Sequence, residues 1–559
     1  MERRLIVCLI IFAFIPLFSW GQGRIIIPRS KPQTENVAPK AKSKSSSSQS
    51  QPKTKRLRTA QSKGKTQQKS SSRPVTPSSP KASPTPTETK KTAPTPSTPK
   101  APSADDLFTL TLRKAQQGDP RAQLDIAHFY YIGEGVAQDY AEAAKWYRKA
   151  AEQGIAEAQY YLGICYDYGV GEPKNHAEAV KWYGKAAEQG NVNAQFNLGG
   201  CYYYGEGVAK DFAEATKWWR KAAEQGDKEA QFNLGRCYYY GEGVAKDYAE
   251  AVKWYRKSSE QGIKEAQFNL GRCYYNGEGV AKDYAEAAKW YKKAAEQGYT
   301  TAQNNLGDCY YFGVGEDKDY AEAVNWYRKA ADQGNVDAQY KLGNCYYYGE
   351  GVTKNNAKAV KWYRKAAEQG NLDAQYNLGG CYYDGEGVNK DLAEAVKWYK
   401  KAAEQGDGDS QYYVGRCYYD GEGVTQDHAE AVMWFSKAAE QGHTSAQYYM
   451  GLCYYNGEGV TKDYAEALKR WRKAAQKGDA DAQYYLGLCY YNGEGVKRDP
   501  IEAVNWWFQA AEQGDAKAQI NLGLRYYNGE GVPKNINEAK YWLKKAADQG
   551  NEVAKKAAE

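Results

Sequence analysis

Apolar side chains recur at helical spacing along residues 191–226. In the first half of this segment they stand at i, i+4, i+7 and i+8, at Ala194, Leu198, Cys201 and Tyr202. This spacing places them on one face of a helix, and it predicts a helix from about Val192 to Tyr204. A second stripe predicts a second helix, packed through Ala215, Trp218, Ala222 and Ala223. We expect the rings of Tyr202 and Trp218 to fill the gaps between neighbouring units.

Polar residues and glycines mark the ends of both helices. Asn191 and Asp211 precede the first and second helix, and such side chains accept hydrogen bonds from free backbone N–H groups. Gly205 suits the left-handed position that follows a helix. Glu stands three residues after the second N-cap in eleven of twelve units, which predicts a capping box with Asp or Asn at the N-cap. Gly199, in the middle of the first helix, predicts close approach by a neighbouring helix.

This pattern repeats every 36 residues without an insertion. A glycine ends a helix at positions 118, 154, 190, 226, 262, 298, 334, 370, 406, 442, 478, 514 and 550. Units of this size cannot bury a core alone, so they stack into arrays. We predict an all-α fold, an α-solenoid of twelve helix-turn-helix repeats over residues 119–550. Residues 105–118 resemble a second helix alone and residues 551–559 the start of a first helix, so both are predicted to cap the array as half-repeats.

Three motifs carry a resemblance to a known family. They are Ala-Gln-Phe-Asn-Leu-Gly at 194–199, Tyr-x-Gly-x-Gly-Val at 203–208 and Ala-x-x-Trp-x-x-Lys-Ala-Ala-x-x-Gly at 215–226. The chain resembles the Sel-one-like repeat family, a branch of the helical repeats related to tetratricopeptide repeats. The resemblance implies a right-handed α-superhelix whose first helices line a concave groove. It also implies an adaptor or scaffold role.

The N-terminus is typical of a secretory signal. Arg3 and Arg4 precede an apolar core from Leu5 to Phe18, and small residues before Gln22 suit a cleavage site. Residues 1–21 are therefore predicted to be a signal peptide. The apolar core would span only ~21 Å as a helix, less than the ~30 Å of a bilayer, although an uncleaved anchor is the alternative. No Asn-x-Ser/Thr sequon occurs. We expect a bacterial protein exported to the periplasm, cell surface or medium, without a membrane span after cleavage.

Residues 22–104 form a basic segment rich in Pro, Ser, Lys and Thr. They hold 18 Lys or Arg against two Glu, and 13 of the 18 prolines, whereas the rest after residue 104 is net acidic, near −9. Such a composition predicts a disordered linker. The alternative is that residues 24–100, and Lys53 to Lys69 above all, bind anionic envelope polymer, lipid head groups or nucleic acid. No aromatic residue interleaves the charges of Lys53 to Lys69, so nucleic acid is not expected.

The sequence offers little for catalysis, metal binding or a cofactor. Ten cysteines, from Cys165 to Cys489, recur once per repeat, too far apart for a ladder of disulfides. In the cysteine-rich secreted branch of the family each repeat carries a cysteine pair, and the second cysteine is missing here. We predict buried small side chains. Four histidines lie in different repeats, and Gly-Glu-Gly-Val lacks the context of a phosphate loop. No enzyme activity, metal or cofactor is predicted.

Most positions of the repeat are nearly identical, but three positions of the first helix vary and share one face by their i, i+3, i+7 spacing. They supply the candidate binding residues. An Asn ladder could bond the backbone of an extended peptide, and it comprises Asn197, Asn233, Asn269, Asn305 and Asn377. Three cations could take a carboxylate, namely Arg236, Arg272 and Arg416. A more apolar sector consists of Tyr449, Leu452, Tyr485 and Leu488. The alternative is that these positions are exposed and have drifted freely.

The leading functional hypothesis is an exported, non-enzymatic scaffold. It would bind proteins or extended peptides along the first helices. A second hypothesis is envelope attachment or adhesion, in which the basic segment holds an anionic polymer. An envelope enzyme is a remote third hypothesis, since neither a carboxylate pair nor a metal cluster stands out in the sequence.

Overall fold

A computed structural model describes residues 104–551 and 554–555. The predicted signal peptide and almost all of the predicted linker lie outside the described residues. Within these, the regular structure is entirely α-helical, and each helix packs against the helix before it and the helix after it within its own unit. The chain divides into two compact units, residues 1–175 and 176–559. The predicted solenoid of twelve 36-residue helix pairs is confirmed.

The described helices number 25 and are almost all 13 residues long. The first is the lone helix α1 (Ala104–Gln116). The first helices of the repeats are α2 (Pro120–Ile132), α4 (Ala156–Tyr168), α6 (Val192–Tyr204), α8 (Lys228–Tyr240), α10 (Lys264–Asn276), α12 (Thr300–Phe312), α14 (Val336–Tyr348), α16 (Leu372–Asp384), α18 (Gly408–Asp420), α20 (Thr444–Asn456), α22 (Ala480–Asn492) and α24 (Ala516–Asn528). The second helices are α3 (Tyr140–Glu152), α5 (His176–Glu188), α7 (Phe212–Glu224), α9 (Tyr248–Glu260), α11 (Tyr284–Glu296), α13 (Tyr320–Asp332), α15 (Asn356–Glu368), α17 (Leu392–Glu404), α19 (His428–Glu440), α21 (Tyr464–Ala475), α23 (Pro500–Glu512) and α25 (Ile536–Asp548).

The predicted caps set these helix ends. The Asn191 side chain accepts a hydrogen bond from the backbone N–H of Ala194 at 2.9 Å, and Asp211 accepts from the N–H groups that open α7. Gly205 follows α6 with φ of 78° and donates to the carbonyl of Cys201 at 2.8 Å. Both predicted kinds of cap are confirmed.

The capping box forms only in part, which corrects the sequence-based prediction. The Asp211 side chain binds the N–H of Glu214, but the Asp211 N–H donates to the carbonyl of Tyr202 at 2.8 Å. That bond closes the loop between α6 and α7 and leaves nothing for the Glu214 carboxylate to accept at the cap. The carboxylate instead accepts from Lys217 at 2.8 Å. The glutamate therefore forms an ion pair on the surface of its own helix and does not cap it.

Close packing of the two helices depends on the glycine inside the first one. A Cβ at Gly199 would lie 2.6 Å from the Trp219 ring, and one at Gly235 would lie 2.7 Å from the Tyr255 ring. The predicted close approach is confirmed. The residue that makes it is Trp219, which the predicted packing stripe omitted and which is more deeply buried than Trp218.

Buried glutamine amides join successive repeats. Gln195 donates to the carbonyl of Ala187 at 3.0 Å, across the turn that separates the repeats. Its Oε1 accepts from Gln225 at 2.8 Å, and Gln225 also donates to the carbonyl of Gly190 at 3.2 Å. The bond between the two glutamines recurs through most of the array. Because an unpaired buried polar group is costly, this network ties the 36-residue spacing to stability.

One repeat departs from the glutamine network. Lys477 stands where the other repeats have Gln, and its Nζ donates to the carbonyl of Gly442 at 2.6 Å. Nothing then donates to the Oε1 of Gln447, which is buried without a partner.

From the second repeat onward, the second glycine of the interhelix loop is packed against the second helix of the preceding repeat. At Gly243 φ is 71°, and an added Cβ would lie 1.9 Å from the carbonyl oxygen of Phe212, the first residue of α7. Gly226, which ends its repeat, has φ of 98° and nothing within 4 Å of an added Cβ. The two glycines therefore share a left-handed backbone but differ in the space around them.

The ten repeat cysteines are buried, as predicted. Burial raises the pKa of the Cys345 and Cys489 thiols to about 12. These thiols are therefore protonated at neutral pH and lack the thiolate that would react or bind a metal.

Replacing Gly243 by Ala is expected to lower the free energy of unfolding by roughly 3 kcal/mol or more. The alanine would have to keep a left-handed φ, and its Cβ would also push the Phe212 carbonyl away. The matched Gly226→Ala change carries only the backbone strain, about 1 kcal/mol. Denaturant unfolding followed by circular dichroism measures both. Equal losses would show that the Phe212 contact does not matter.

Replacing Lys477 by Gln is expected to stabilise the protein by about 1 kcal/mol, because the new amide can donate to Gln447 and still reach the Gly442 carbonyl. The reverse change, Gln261→Lys, removes the donor to Gln231 and should destabilise by a similar amount. Thermal unfolding of both variants beside the parent measures the effect. Lower stability of Lys477→Gln would contradict the role given to the glutamine network.

At pH 8 the folded protein is expected to resist alkylation by iodoacetamide at all ten repeat cysteines, since all ten are buried and burial raises the pKa of thiols such as Cys345 and Cys489. The same protein in denaturant should be labelled at every one. Mass spectrometry of intact protein counts the adducts. Labelling of folded protein at the rate of a free thiol would show that the first helices open readily.

Candidate functional site

The first-helix face consists of the positions equivalent to Asn197, Gly200 and Tyr204. At the third position large aromatic side chains are exposed in repeats of the second unit, at Tyr204 (40 %), Tyr240 (47 %), Phe312 (51 %) and Tyr348 (65 %). Residues at the first two positions are half-buried or buried. Asn233, Arg236 and Asn269 are buried, so free drift at exposed positions does not describe them.

The predicted Asn ladder is partly engaged within the protein. Asn269 donates to the carbonyl of Glu265 in its own helix at 2.7 Å. Asn377 lies 3.4 Å from the Oδ1 of Asn344, and Asn305 accepts from Asn304 at 3.4 Å. Asn197 is half-buried, whereas the Oδ1 of Asn233 is buried without a partner. The amides do not form one open row, and their binding role stays a prediction.

The apolar sector packs on the second helices. Tyr449 stacks on Phe435 with ring centres 5.2 Å apart, and Tyr485 stacks on Trp471 at 4.7 Å. Leu452 and Leu488 are half-buried beside them. These side chains fill space between helices and still present an edge to solvent.

Two of the four charges at the second position, those of Asp308 and Arg416, are neutralised by a neighbour. Arg416 forms an ion pair with Asp420 at 2.7 Å and lies over the Tyr449 ring. Lys341 pairs with Asp308 at 2.8 Å. These pairs close within one helix or between adjacent first helices, and they leave no charge for a partner to match.

Arg236 and Arg272 are different. Neither has a carboxylate within 4.0 Å among the described residues, and Arg236 is only 4 % exposed. The Nε of Arg236, and the Nε and Nη2 of Arg272, are buried without a hydrogen-bond partner. The Arg272 guanidinium lies 4.6 Å from the centre of the Tyr239 ring, and that of Arg236 lies 6.0 Å from the Tyr240 ring.

Tyrosine hydroxyls separate these arginines from the loop glutamates. Tyr203 donates to Glu242 at 2.8 Å and Tyr239 donates to Glu278 at 2.7 Å. Burial raises the pKa of Tyr203 to about 12, with the Glu242 bond acting in the same direction and Arg236 against it. Burial opposes the charge of Arg272, but the adjacent Tyr239 and Tyr240 outweigh it and raise its pKa. Arg272 therefore remains charged.

The exposed aromatic row was missed as a site because sequence alone did not show which of the three varied positions faces solvent. A second feature that sequence reasoning missed lies on the second helices. An open cavity of about 360 Å³ beside α7 is lined by Lys217, Arg220 and Lys221, and an equivalent cavity of about 330 Å³ lies beside α15. The three cations of the cavity beside α7 already have partners within the protein. Lys217 pairs with Glu214, Arg220 donates to Tyr238 and Lys221 lies over the Trp218 ring.

No helix among the described residues combines the length and the apolar character needed to cross a bilayer. A comparison with curated proteins finds no match. Among solved structures, that of c5321, described as a protective antigen present in uropathogenic Escherichia coli strains displaying an SLR fold, is 38 % identical, with a TM-score of 0.68. The match covers 80 % of this chain and 97 % of that one. A Sel1 repeat protein from Oxalobacter formigenes is 35 % identical over 55 % of this chain and 88 % of that one, with a TM-score of 0.45.

The Sel1 repeat model matches the chain twelve times in succession. The matched segments run without a gap, at 120–155, 156–191, 192–227, 228–263, 264–299, 300–335, 336–371, 372–407, 408–443, 444–479, 480–515 and 516–551. They follow the predicted repeats with a shift of one residue and cover well over half of the sequence. The chain belongs to the Sel1 repeat family, whose helical repeats are similar to tetratricopeptide repeats.

Proposed function

We propose that this protein is an exported, non-enzymatic scaffold that binds peptide segments or protein partners along the first-helix face. Proteins built from Sel1 and tetratricopeptide-like repeats are generally protein-interaction scaffolds. The observation that carries the proposal is the row of exposed aromatic side chains on α6, α8, α12 and α14, next to arginines with unpaired donors. Aromatic and arginine side chains are the types enriched where proteins bind one another.

Export rests on the signal-like residues 1–21 and on the likeness to c5321, a protective antigen. The basic segment 24–100 would act as a tether between the array and the envelope. Its strong positive charge also supports a second candidate function, attachment to an anionic envelope polymer, because a polycation binds such polymers in a salt-dependent way.

The first test is capture of partners from a bacterial envelope extract by the full chain. A Tyr204→Ala/Phe312→Ala/Tyr348→Ala variant should lose the captured proteins, because it removes three exposed rings from the first-helix face. The matched control is Ile501→Ala/Tyr541→Ala, which removes exposed apolar side chains from second helices and should capture as the parent does.

Equal capture by the aromatic variant and the parent would contradict binding through the first-helix face. A further variant with the lysines from Lys53 to Lys69 replaced by Gln then tests the second function. Capture that is lost in this variant and falls steeply with salt would assign binding to the basic segment.

A further inference from the structure

Arg236 and Arg272 occupy equivalent positions in consecutive first helices, α8 and α10. Together they present three guanidinium nitrogens that are buried and without a hydrogen-bond partner. The Oδ1 of Asn233, one turn before Arg236, is also buried and unpartnered. Burial of a cation without an anion is costly, so this cluster lowers stability unless something outside the described chain compensates.

Other arginines near this face show how the protein avoids that cost. Arg416 stands at the same position in α18 and is paired with Asp420. Arg525 stands one position further along α24, lies 4.3 Å from the Tyr491 ring and is paired with Glu530 at 3.1 Å. Arg272 has the same kind of ring contact, with Tyr239. Glu530 accepts from both Tyr491 and Arg525, whereas Glu278 accepts from Tyr239 and forms no ion pair with Arg272 among the described residues. The anion is missing only at Arg236 and Arg272 among these four.

Tyr240 is the side chain that stands between this cluster and solvent. Its ring centre lies 6.0 Å from the Arg236 guanidinium, its hydroxyl contributes to the raised pKa of Arg272, and 47 % of the side chain is exposed at the end of α8. An exposed side chain changes rotamer within nanoseconds, so an incoming group can displace it. Tyr204 and Phe312 are exposed on either side along the array.

We propose that Arg236 and Arg272 form a carboxylate-binding site for an acidic side chain of a peptide or protein partner, with Tyr240 as its movable cover. This proposal rests on the proposed scaffold function and specifies that the partner carries an acidic side chain. The carboxylate accepts from the unpaired guanidinium donors of both arginines. Apolar residues beside it in the partner contact Tyr204 and Phe312. An acidic residue flanked by apolar residues is therefore the recognised pattern.

The probe is a short capped peptide in which Glu alternates with Leu and Ser, titrated into the full chain by calorimetry. The same peptide with Gln in place of Glu is the ligand control. We expect Arg236→Gln/Arg272→Gln to weaken the acidic peptide roughly tenfold or more, because two charge-assisted donors are lost. Arg416→Gln, whose charge is already paired, is the matched protein control and should bind as the parent does.

A second readout separates binding from folding. Without peptide, Arg236→Met/Arg272→Met should melt at or above the temperature of the parent, because it removes unpaired buried charges. A large fall in melting temperature would show that the arginines stabilise the fold and would overturn the proposal. Tyr240→Ala should bind the acidic peptide at least as tightly as the parent, since the cover is gone.

The proposal is also overturned if the Glu and Gln peptides bind alike, if the arginine variant keeps the affinity of the parent, or if Arg416→Gln loses as much. Absence of peptide binding, while envelope partners are still captured through the aromatic row, would remove the carboxylate site and leave the scaffold function standing. Absence of both would remove both.

Discussion

The contact on which the rest of the structure depends is the one between equivalent places in successive repeats. The glutamine amides reach a carbonyl of the preceding repeat, and the second loop glycine lies against the first carbonyl of the preceding second helix. Each contact joins two residues whose separation along the chain is the same in every repeat. A single inserted residue would separate the buried amide from its carbonyl, and this explains why the 36-residue period carries no insertion.

That constraint decides which positions can differ between repeats. Gly235 and Gln231 are held by packing or by buried hydrogen bonds, so their equivalents change little, and the equivalents of Tyr255 are always large and apolar or aromatic. Fewer side chains of the first-helix face make such contacts, and the differences between repeats are concentrated there. The array is therefore not uniform as a surface. At the third position, exposed rings lie on α4, α6, α8, α12 and α14, whereas α16 and α18 carry Asp384 and Asp420 there.

Much of the fold could be predicted from sequence because its determinants are local. Asn191 and Gly205 cap the two ends of the helix between them. Gly199 predicts that another helix packs closely, without showing which side chain makes the contact. The rest depends on atoms from other repeats or across a loop. The Tyr202 carbonyl accepts from the N–H that a full capping box would use, and the ring against Gly199 is that of Trp219. Glu278 of the next repeat binds Tyr239 and, within the part of the chain that the structure describes, forms no ion pair with Arg272. No spacing rule on a single helix contains these facts.

The pairing of charges argues that binding is concentrated in a few repeats. At one position of the first helix, Arg416 has its own Asp420 four residues later, whereas Arg236 has Tyr240 there and Arg272 has Asn276. One side chain on the same helix turn thus decides whether a buried cation is already matched. Neighbouring repeats with unmatched arginines and exposed rings combine charge recognition with apolar contact. A partner bound there would be stabilised by both kinds of contact. The remaining repeats would keep the binding repeats in position.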